Sequence, residues 1–293
     1  MKITILGCGH NGSTINGNNC ILLEENSGSH GAIGLNRERR MLIDAGWDLP
    51  HMLKRGKVRP KDITDVYISH LHGDHIGGLE WLGFDRYDWA TRPRPTKCNW
   101  DLILHANSLL MNEMWDHSLS GGMSSIEGID ATLETFFRLN PIRPNTTFEW
   151  CGWTFKLIQQ IHIMSGSIIT NTFGLLVTKP GHKTLYFVTD AQHCSPRQVE
   201  VFYREADIIF QDCELYPAKM MSQVHANYAQ LAGYPEANSV KLSDDIKSKM
   251  WLTHYQDFYN DKKDFFGNEC DWDALAEKDG FQGFVHVGQT FEV

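Results

Sequence analysis

The chain has 293 residues, with 27 basic and 36 acidic side chains and a formal net charge of −9. Its hydrophobic fraction of 42% supports a sizeable core and excludes a disordered, collagen-like or small stapled chain. The acidic balance argues against a protein that grips long nucleic acid by charge, which requires clustered Lys and Arg.

The sequence predicts strands at residues 2–6, 20–24, 41–44, 65–69, 101–105, 154–162, 172–178, 184–190, 207–212, 250–254 and 284–287, where short β-branched runs are bounded by turn residues. Helical spacing is predicted over 106–115, 196–205, 225–233 and 272–278. Strands dominate early and then mix with helices, which suits two sheets packed face to face with helices outside. A single parallel sheet is excluded by 172–178 and 184–190. A Gly-containing turn joins them, so they should pair as a hairpin.

The first strand leads into Gly7-Cys8-Gly9-His10-Asn11-Gly12, which matches G-x-G-x-x-G. A dinucleotide site would need a helix next, and a turn-rich loop, Ser13 to Asn19, follows instead. The loop is read as a tight turn in which His10 is the residue to watch. From about Phe84 to Trp150 lies a long, largely irregular region with Trp89, Trp100, Trp115 and Trp150 and the run Arg92-Pro93-Arg94-Pro95. It is too apolar for a linker. Length leaves room for two domains, but the expectation is one domain over 1–293 with an insertion at about 84–150.

The seven cysteines, Cys8, Cys20, Cys98, Cys151, Cys194, Cys213 and Cys270, are odd in number and form no C-x-x-C. That fits a reducing compartment. The apolar run at the start is short for a signal peptide, and no stretch is long enough for a membrane span. The expectation is a soluble, cytoplasmic protein with no membrane partner.

The 14 histidines matter because histidine is the commonest metal ligand. Three of them, with an Asp, pack into His70-Leu71-His72-Gly73-Asp74-His75, just after a predicted strand. His70 and His72 at i and i+2 can share one ion, and Asp74 and His75 can face a second. Imidazole and carboxylate ligands suit zinc, with manganese or iron as alternatives. Further ligand candidates stand at the ends of apolar strands: His162, Asp190 and His254. Seven others, His30, His51, His105, His117, His182, His193 and His286, are read as surface or loop residues.

The run H-x-H-x-D-H, with Asp44 upstream and His162, Asp190 and His254 downstream, resembles the metallo-β-lactamase superfamily over nearly the whole chain. That resemblance implies an α/β fold, a four-layer αββα sandwich of two mixed sheets flanked by helices. It implies that His70, His72 and His162 hold one metal, that Asp74, His75 and His254 hold the other, and that Asp190 bridges the two. It makes Asp44 a buried residue that orients the loop. The opening strand, the Gly loop and the Asn18-Asn19-Cys20 entry look like the ribonuclease Z and phosphodiesterase branch, in which Asp212 and His225 match an acidic residue supporting a catalytic His. The implied chemistry is hydrolysis by a hydroxide shared between two divalent ions, with His225 as general acid and Asp212 orienting it.

Ribonuclease Z binds tRNA through an arm between the third and fourth motifs. Here only 28 positions separate His162 from Asp190, and a hairpin fills them. A small phosphodiester such as a cyclic nucleotide is therefore the expected substrate, and no long nucleic acid is expected. Arg86, Arg92, Arg94 and the Trp residues of the insertion are read first as a lid or dimer contact and second as a nucleotide cap. The branch also suggests a homodimer. Alternatives are a biosynthetic hydrolase or oxygenase resembling the pyrroloquinoline quinone synthesis protein B group, a lactonase, and a non-catalytic metal-binding signalling protein.

Overall fold

A computed structural model describes residues 1–26, 38–87, 102–144 and 146–293. The chain divides into two compact units, one of Met1–Gly7, Gly17–Thr147 and Gly288–Val293, the other of Cys8–Asn16 and Phe148–Val287. Among the described residues, the strands form two seven-stranded sheets and a small two-stranded one. His30, Trp89, Arg92, Arg94, Cys98, Trp100 and Asp101 lie outside the described residues.

The first sheet runs Thr290–Glu292, Lys2–Gly7, Cys20–Asn26, Glu38–Ile43, Asp65–Ile68, Ile103–Asn107, Arg138–Ile142. Its first four strands pair antiparallel and its last four parallel, so the sheet is mixed. Strand Asp65–Ile68 is buried throughout, as a parallel strand covered on both faces should be. Helices Leu49–Arg55 and Gly78–Arg86 bury Leu49, Met52, Leu53, Leu79 and Leu82 in this unit's core. Each such side chain contributes about 1.5–3 kcal/mol of burial.

Asp65 is fully buried at the head of its strand and is not wasted there. Its carboxylate accepts from Arg39 Nη2 at 2.7 Å and Thr64 Oγ1 at 2.6 Å, and lies 3.0 Å from His105 Nε2. Asn140 Nδ2 stands 2.8 Å from His105 Nδ1. With the amide donating to Nδ1, the ring turns its Nε2–H toward Asp65. His105 is therefore no surface residue. It is 4% exposed and ties together three neighbouring strands. Its polar partners sit on strands that sequence spacing alone does not place beside it.

The second sheet runs Gly283–Phe284, Met250–Thr253, Ile208–Asp212, Leu185–Phe187, Ile168–Thr178, Trp153–Ser165, Thr147–Trp150. The first four strands are parallel. Leu185–Phe187 pairs antiparallel with Ile168–Thr178 as the Gly-containing turn predicts. The longest pairing was not foreseen in full. Trp153–Ser165 and Ile168–Thr178 form one hairpin, closed at Gly166 with φ +60, a backbone angle glycine adopts without a Cβ penalty. Helix Trp272–Lys278 has the predicted bounds.

Other elements move by a few residues. Strand Ile103–Asn107 extends past its expected end, so the helix starts at Ser108, where the Asn107 side chain caps Leu109 N–H. The helix expected over 225–233 is Tyr228–Ala232, capped by Asn227. His225 thus precedes the helix instead of opening it. Arg138–Ile142, with Pro141 inside, and Thr290–Glu292 are sheet strands the sequence pattern missed. Both are edge strands of the first sheet, where proline costs least. No helix among the described residues is long and apolar enough to cross a membrane.

Candidate metal centre

In the first unit, the chain turns at the end of Asp65–Ile68 and presents Ser69 to His75. The turn depends on close backbone approach. A Cβ on Gly46 would fall 2.2 Å from the Asp74 carbonyl, and one on Gly78 would fall 2.4 Å from the Gly46 carbonyl. Ala45 N–H donates to the His75 carbonyl at 2.7 Å, and Gly78 N–H to the Ala45 carbonyl at 2.8 Å. The segment Asp44–Gly46 is laced in this way to the short helix Gly73–Ile76 and to the start of helix Gly78–Arg86.

Asp44 is the hub. It is 1% exposed and sits at φ +62, a left-handed angle that Asp tolerates better than most residues. Its Oδ1 accepts from Ser69 N–H, and its Oδ2 accepts from Ser69 Oγ and His75 Nδ1, each at 2.8 Å. The Ser69 proton is thus spent on Asp44, so Ser69 Oγ receives from His70 Nδ1 at 3.0 Å. Both rings then carry hydrogen on Nδ1 and a lone pair on Nε2. Imidazoles oriented through the other nitrogen by a carboxylate or hydroxyl are characteristic of metal ligands. His70 and His75 are buried with ring centroids 4.1 Å apart, and the His72 ring lies 4.7 Å from that of His70. Asp74 Oδ2 is 3.3 Å from His75 Nε2.

The second unit gathers His162, Asp190, Asp212, His225 and His254. Register slips between Ile161 and Ile163, so His162 occupies a bulge, a device that re-aims a side chain out of its strand. Its Nδ1 donates to the Val224 carbonyl at 2.8 Å, again leaving Nε2 as the ligand nitrogen. Burial pushes its pKa down to about 4, against the pull of Asp190, so the ring is neutral at pH 7. Asp190 Oδ2 lies 3.3 Å from His254 Nε2 and 3.9 Å from both His162 Nε2 and His225 Nδ1. Thr172 Oγ1 holds the Asp190 carbonyl at 2.7 Å. His254, at φ +64, is a second non-glycine residue in left-handed backbone. Its N–H donates to the Cys8 carbonyl at 2.7 Å.

Asp212 is 1% exposed. Its Oδ2 accepts from Ala191 N–H and from His225 Nδ1, both at 2.9 Å, and its Oδ1 is 3.3 Å from His254 Nδ1. Burial alone would raise the Asp212 pKa, but His225 and His254 outweigh it and hold the carboxyl below its ordinary range. The converse applies to His225: burial lowers its pKa, yet the Asp212 charge and hydrogen bond prevail and raise it. His225 can therefore carry a proton near neutral pH.

Residues that sequence reasoning missed support this geometry. Glu214 is buried and accepts from Ser222 N–H at 2.8 Å and Asn227 Nδ2 at 3.3 Å. Its backbone bonds Ala226 and Tyr228 at 2.8 and 2.9 Å. The segment carrying His225 is thereby fixed. An acidic residue two places beyond Asp212, at the end of an apolar run, was the available signal. The glycine loop also resolves. The backbone N–H groups of Thr14 and Ile15 and the hydroxyl of Ser13 all bind the Asp257 carboxylate. The anion in that loop is a side chain of the protein, not a pyrophosphate. His10 accepts from Gly12 N–H at 3.1 Å and braces the same turn.

A family model described as "Anti-Pycsar protein Apyc1" matches residues 1–291. The Anti-Pycsar protein Apyc1 of Paenibacillus harenae is 30% identical over 224 residues, 74% of this chain and 78% of that one. Among solved structures, the metallo-beta-lactamase fold protein YhfI from Bacillus subtilis superposes with a TM-score of 0.65 at 16% identity, covering 100% of this chain and 99% of that one. Unliganded yeast PDE1 superposes with a TM-score of 0.66 at 14% identity, with the same coverage. The two mixed sheets and their helices are thus the metallo-β-lactamase fold that the H-x-H-x-D-H run implied. With the family model spanning almost all of its length, the chain belongs to the Anti-Pycsar protein Apyc1 family.

Proposed function

We propose that the protein is a dinuclear metal-dependent hydrolase that cleaves a small phosphodiester, with cyclic nucleotides as the substrate class. His70, His72 and His162 would hold one divalent ion. Asp74, His75 and His254 would hold the other, and Asp190 would serve both. The donor chemistry fits zinc, with manganese or iron as alternatives. Three of the imidazoles have Nδ1 engaged and Nε2 directed away from that partner. Ions so bound supply Lewis acidity and a nucleophile available at neutral pH.

The observation that carries the phosphodiesterase reading is the 2.9 Å pair of His225 Nδ1 and Asp212 Oδ2 beside Asp190. Breaking a phosphodiester leaves an alkoxide that needs a proton. His225, protonated and aimed by Asp212, donates it, and Asp212 holds the ring during and after transfer. The hairpin Trp153–Ser165 and Ile168–Thr178 takes up the span in which a tRNA-binding arm would be inserted. That supports a small substrate over a polymer. A cytoplasmic homodimer completes the reading, and sedimentation of the purified chain tests the oligomer.

One arrangement favours a second role for His225. Asp190, Asp212, His225 and His254 offer ligand atoms that all lie within 4.8 Å of one another, a set that could itself hold an ion. The experiment separates the two. Metal-loaded protein is offered bis(p-nitrophenyl) phosphate, a cyclic nucleotide panel and a lactone panel, and His225→Ala is assayed with its metal content measured. Turnover of a phosphodiester, with metal retained in a slowed His225→Ala, supports the proposal. Lactone turnover alone sinks the phosphodiesterase reading, and metal loss in the variant makes His225 a ligand.

A further inference from the structure

In the first unit, Trp47 is a large apolar side chain left 51% exposed beside the ligand run. Its backbone is fixed on both sides. Before it, Ala45 is bonded to His75 and Gly78. After it, Leu49 N–H donates to the Gly46 carbonyl at 3.0 Å and helix Leu49–Arg55 begins.

The indole lies on the ligand run itself. A Cβ on Gly73 would fall 2.8 Å from Trp47 Cζ3 and 2.9 Å from its Cε3, and one on Gly77 would fall 3.2 Å from Trp47 Cβ. Gly73 separates His72 from Asp74, two of the proposed ligands, and its bare backbone is what admits the ring. Burial shows where the run meets solvent. His70, Asp74 and His75 are buried, whereas His72 and Gly73 are half-buried. The run therefore opens at His72 and Gly73, the place where the indole lies.

Single exposed apolar residues are ordinary on protein surfaces. Trp47 differs in its position and in what it leaves unused. Among the described residues, its Nε1–H makes no hydrogen bond and no aromatic ring or cation packs on it. An indole braced against glycine backbone and half open to solvent is a platform for a second flat group. A cation could also use such a face. A phosphodiester held at the metal centre brings negative charge instead and, in a nucleotide, a base.

We propose that Trp47 is a specificity-determining residue of this site, with its exposed indole stacking on the base of a nucleotide whose phosphate is held beside His72 and Asp74. The inference rests on the nucleotide reading given under the proposed function. Every base has a π-face, so the ring selects for the presence of a base and not for one base.

Calorimetric titration of the metal-loaded full chain with adenosine 5′-monophosphate and cytidine 5′-monophosphate, beside ribose 5-phosphate, tests this. The three share the phosphate and differ in the base. Both nucleotides should bind about 10-fold tighter than ribose 5-phosphate, or more. Trp47→Leu, which keeps an apolar group on Gly73 without an aromatic face, and Trp47→Ala should remove that margin. Ribose 5-phosphate binding and metal content should stay as in the wild type, and Trp47→Phe should keep most of the margin. The proposal is overturned if the nucleotides bind no tighter than ribose 5-phosphate, or if Trp47→Leu and Trp47→Ala bind them as the wild type does. It is also overturned if these variants weaken all three ligands alike, the mark of a structural role. The hydrolysis fails separately: a margin that depends on Trp47 in a protein with no phosphodiester turnover would sink the phosphodiesterase and keep this contact.

Discussion

The two units collect their candidate site residues by opposite routes. In the first, His70, His72, Asp74 and His75 come from one run of six residues, and a single buried carboxylate, Asp44, orients it. In the second, His162, Asp190, His225 and His254 come from four separate segments, each with its own brace: the Val224 carbonyl, Thr172, Asp212 and the Cys8 carbonyl. A contiguous set needs one turn to be right. A dispersed set needs a whole sheet to be right. The first should therefore fail at one point, and the second should degrade piece by piece.

The largest expected effect tests the dispersed set. His225→Ala should lower kcat on an alkoxide-leaving substrate by about 10²–10⁴ while metal content holds. The fall should be smaller for bis(p-nitrophenyl) phosphate, whose phenolate leaves without help. Equal losses on both substrates would remove the acid role from His225.

Next in size is the scaffold beneath the contiguous set. Asp65→Asn should destabilise the protein by about 3 kcal/mol, because it strips a buried carboxylate from Arg39 and His105. Urea denaturation measures this. The Asp65 pKa also sets a pH signature. Burial would raise it, but His105 and Arg39 outweigh burial and depress it. A depressed carboxylate contributes stability that is full above its unfolded value of about 3.9 and is lost as pH falls through the folded value. The wild type should therefore lose stability in that acid window more steeply than Asp65→Asn. Parallel curves would show that Asp65 is not the titrating group.

Asp44→Asn probes the single point of failure directly. It should weaken metal binding by about 10–100-fold, a larger drop than Thr172→Val or any other one-brace change in the second unit. Competition with a chromophoric chelator measures it. An equal loss from Thr172→Val would erase the contrast between the units. The smallest effect concerns the segment beside His225. Asn227→Ala removes the cap on Tyr228–Ala232 and should cost about 1 kcal/mol, with a fall in activity beyond that seen for the matching cap change Asp271→Ala on helix Trp272–Lys278, which carries none of the proposed site residues.

The same contrast explains what the sequence made legible. Four candidates in six residues, straight after a strand, are visible because repulsion and desolvation forbid such a cluster without a cation. His162, Asp190 and His254 are visible only as polar residues ending apolar strands, and the resemblance was needed to join them. The supports were harder. Ser69 and Glu214 act through hydrogen bonds to backbone and ring nitrogens, which no spacing rule encodes. His105 looked like a surface residue because its partners, Asp65 and Asn140, lie 40 and 35 positions away. Strand Arg138–Ile142 was hidden by Pro141, which an interior strand would reject and an edge strand accepts.

The central claim is that this chain hydrolyses phosphodiesters with two divalent ions. Titrating metal-stripped protein with zinc or manganese, while following hydrolysis of bis(p-nitrophenyl) phosphate, tests it most directly. The account predicts turnover that rises with added metal and levels off near two equivalents per chain. Turnover absent at every metal ratio, or unaffected by stripping, would contradict it.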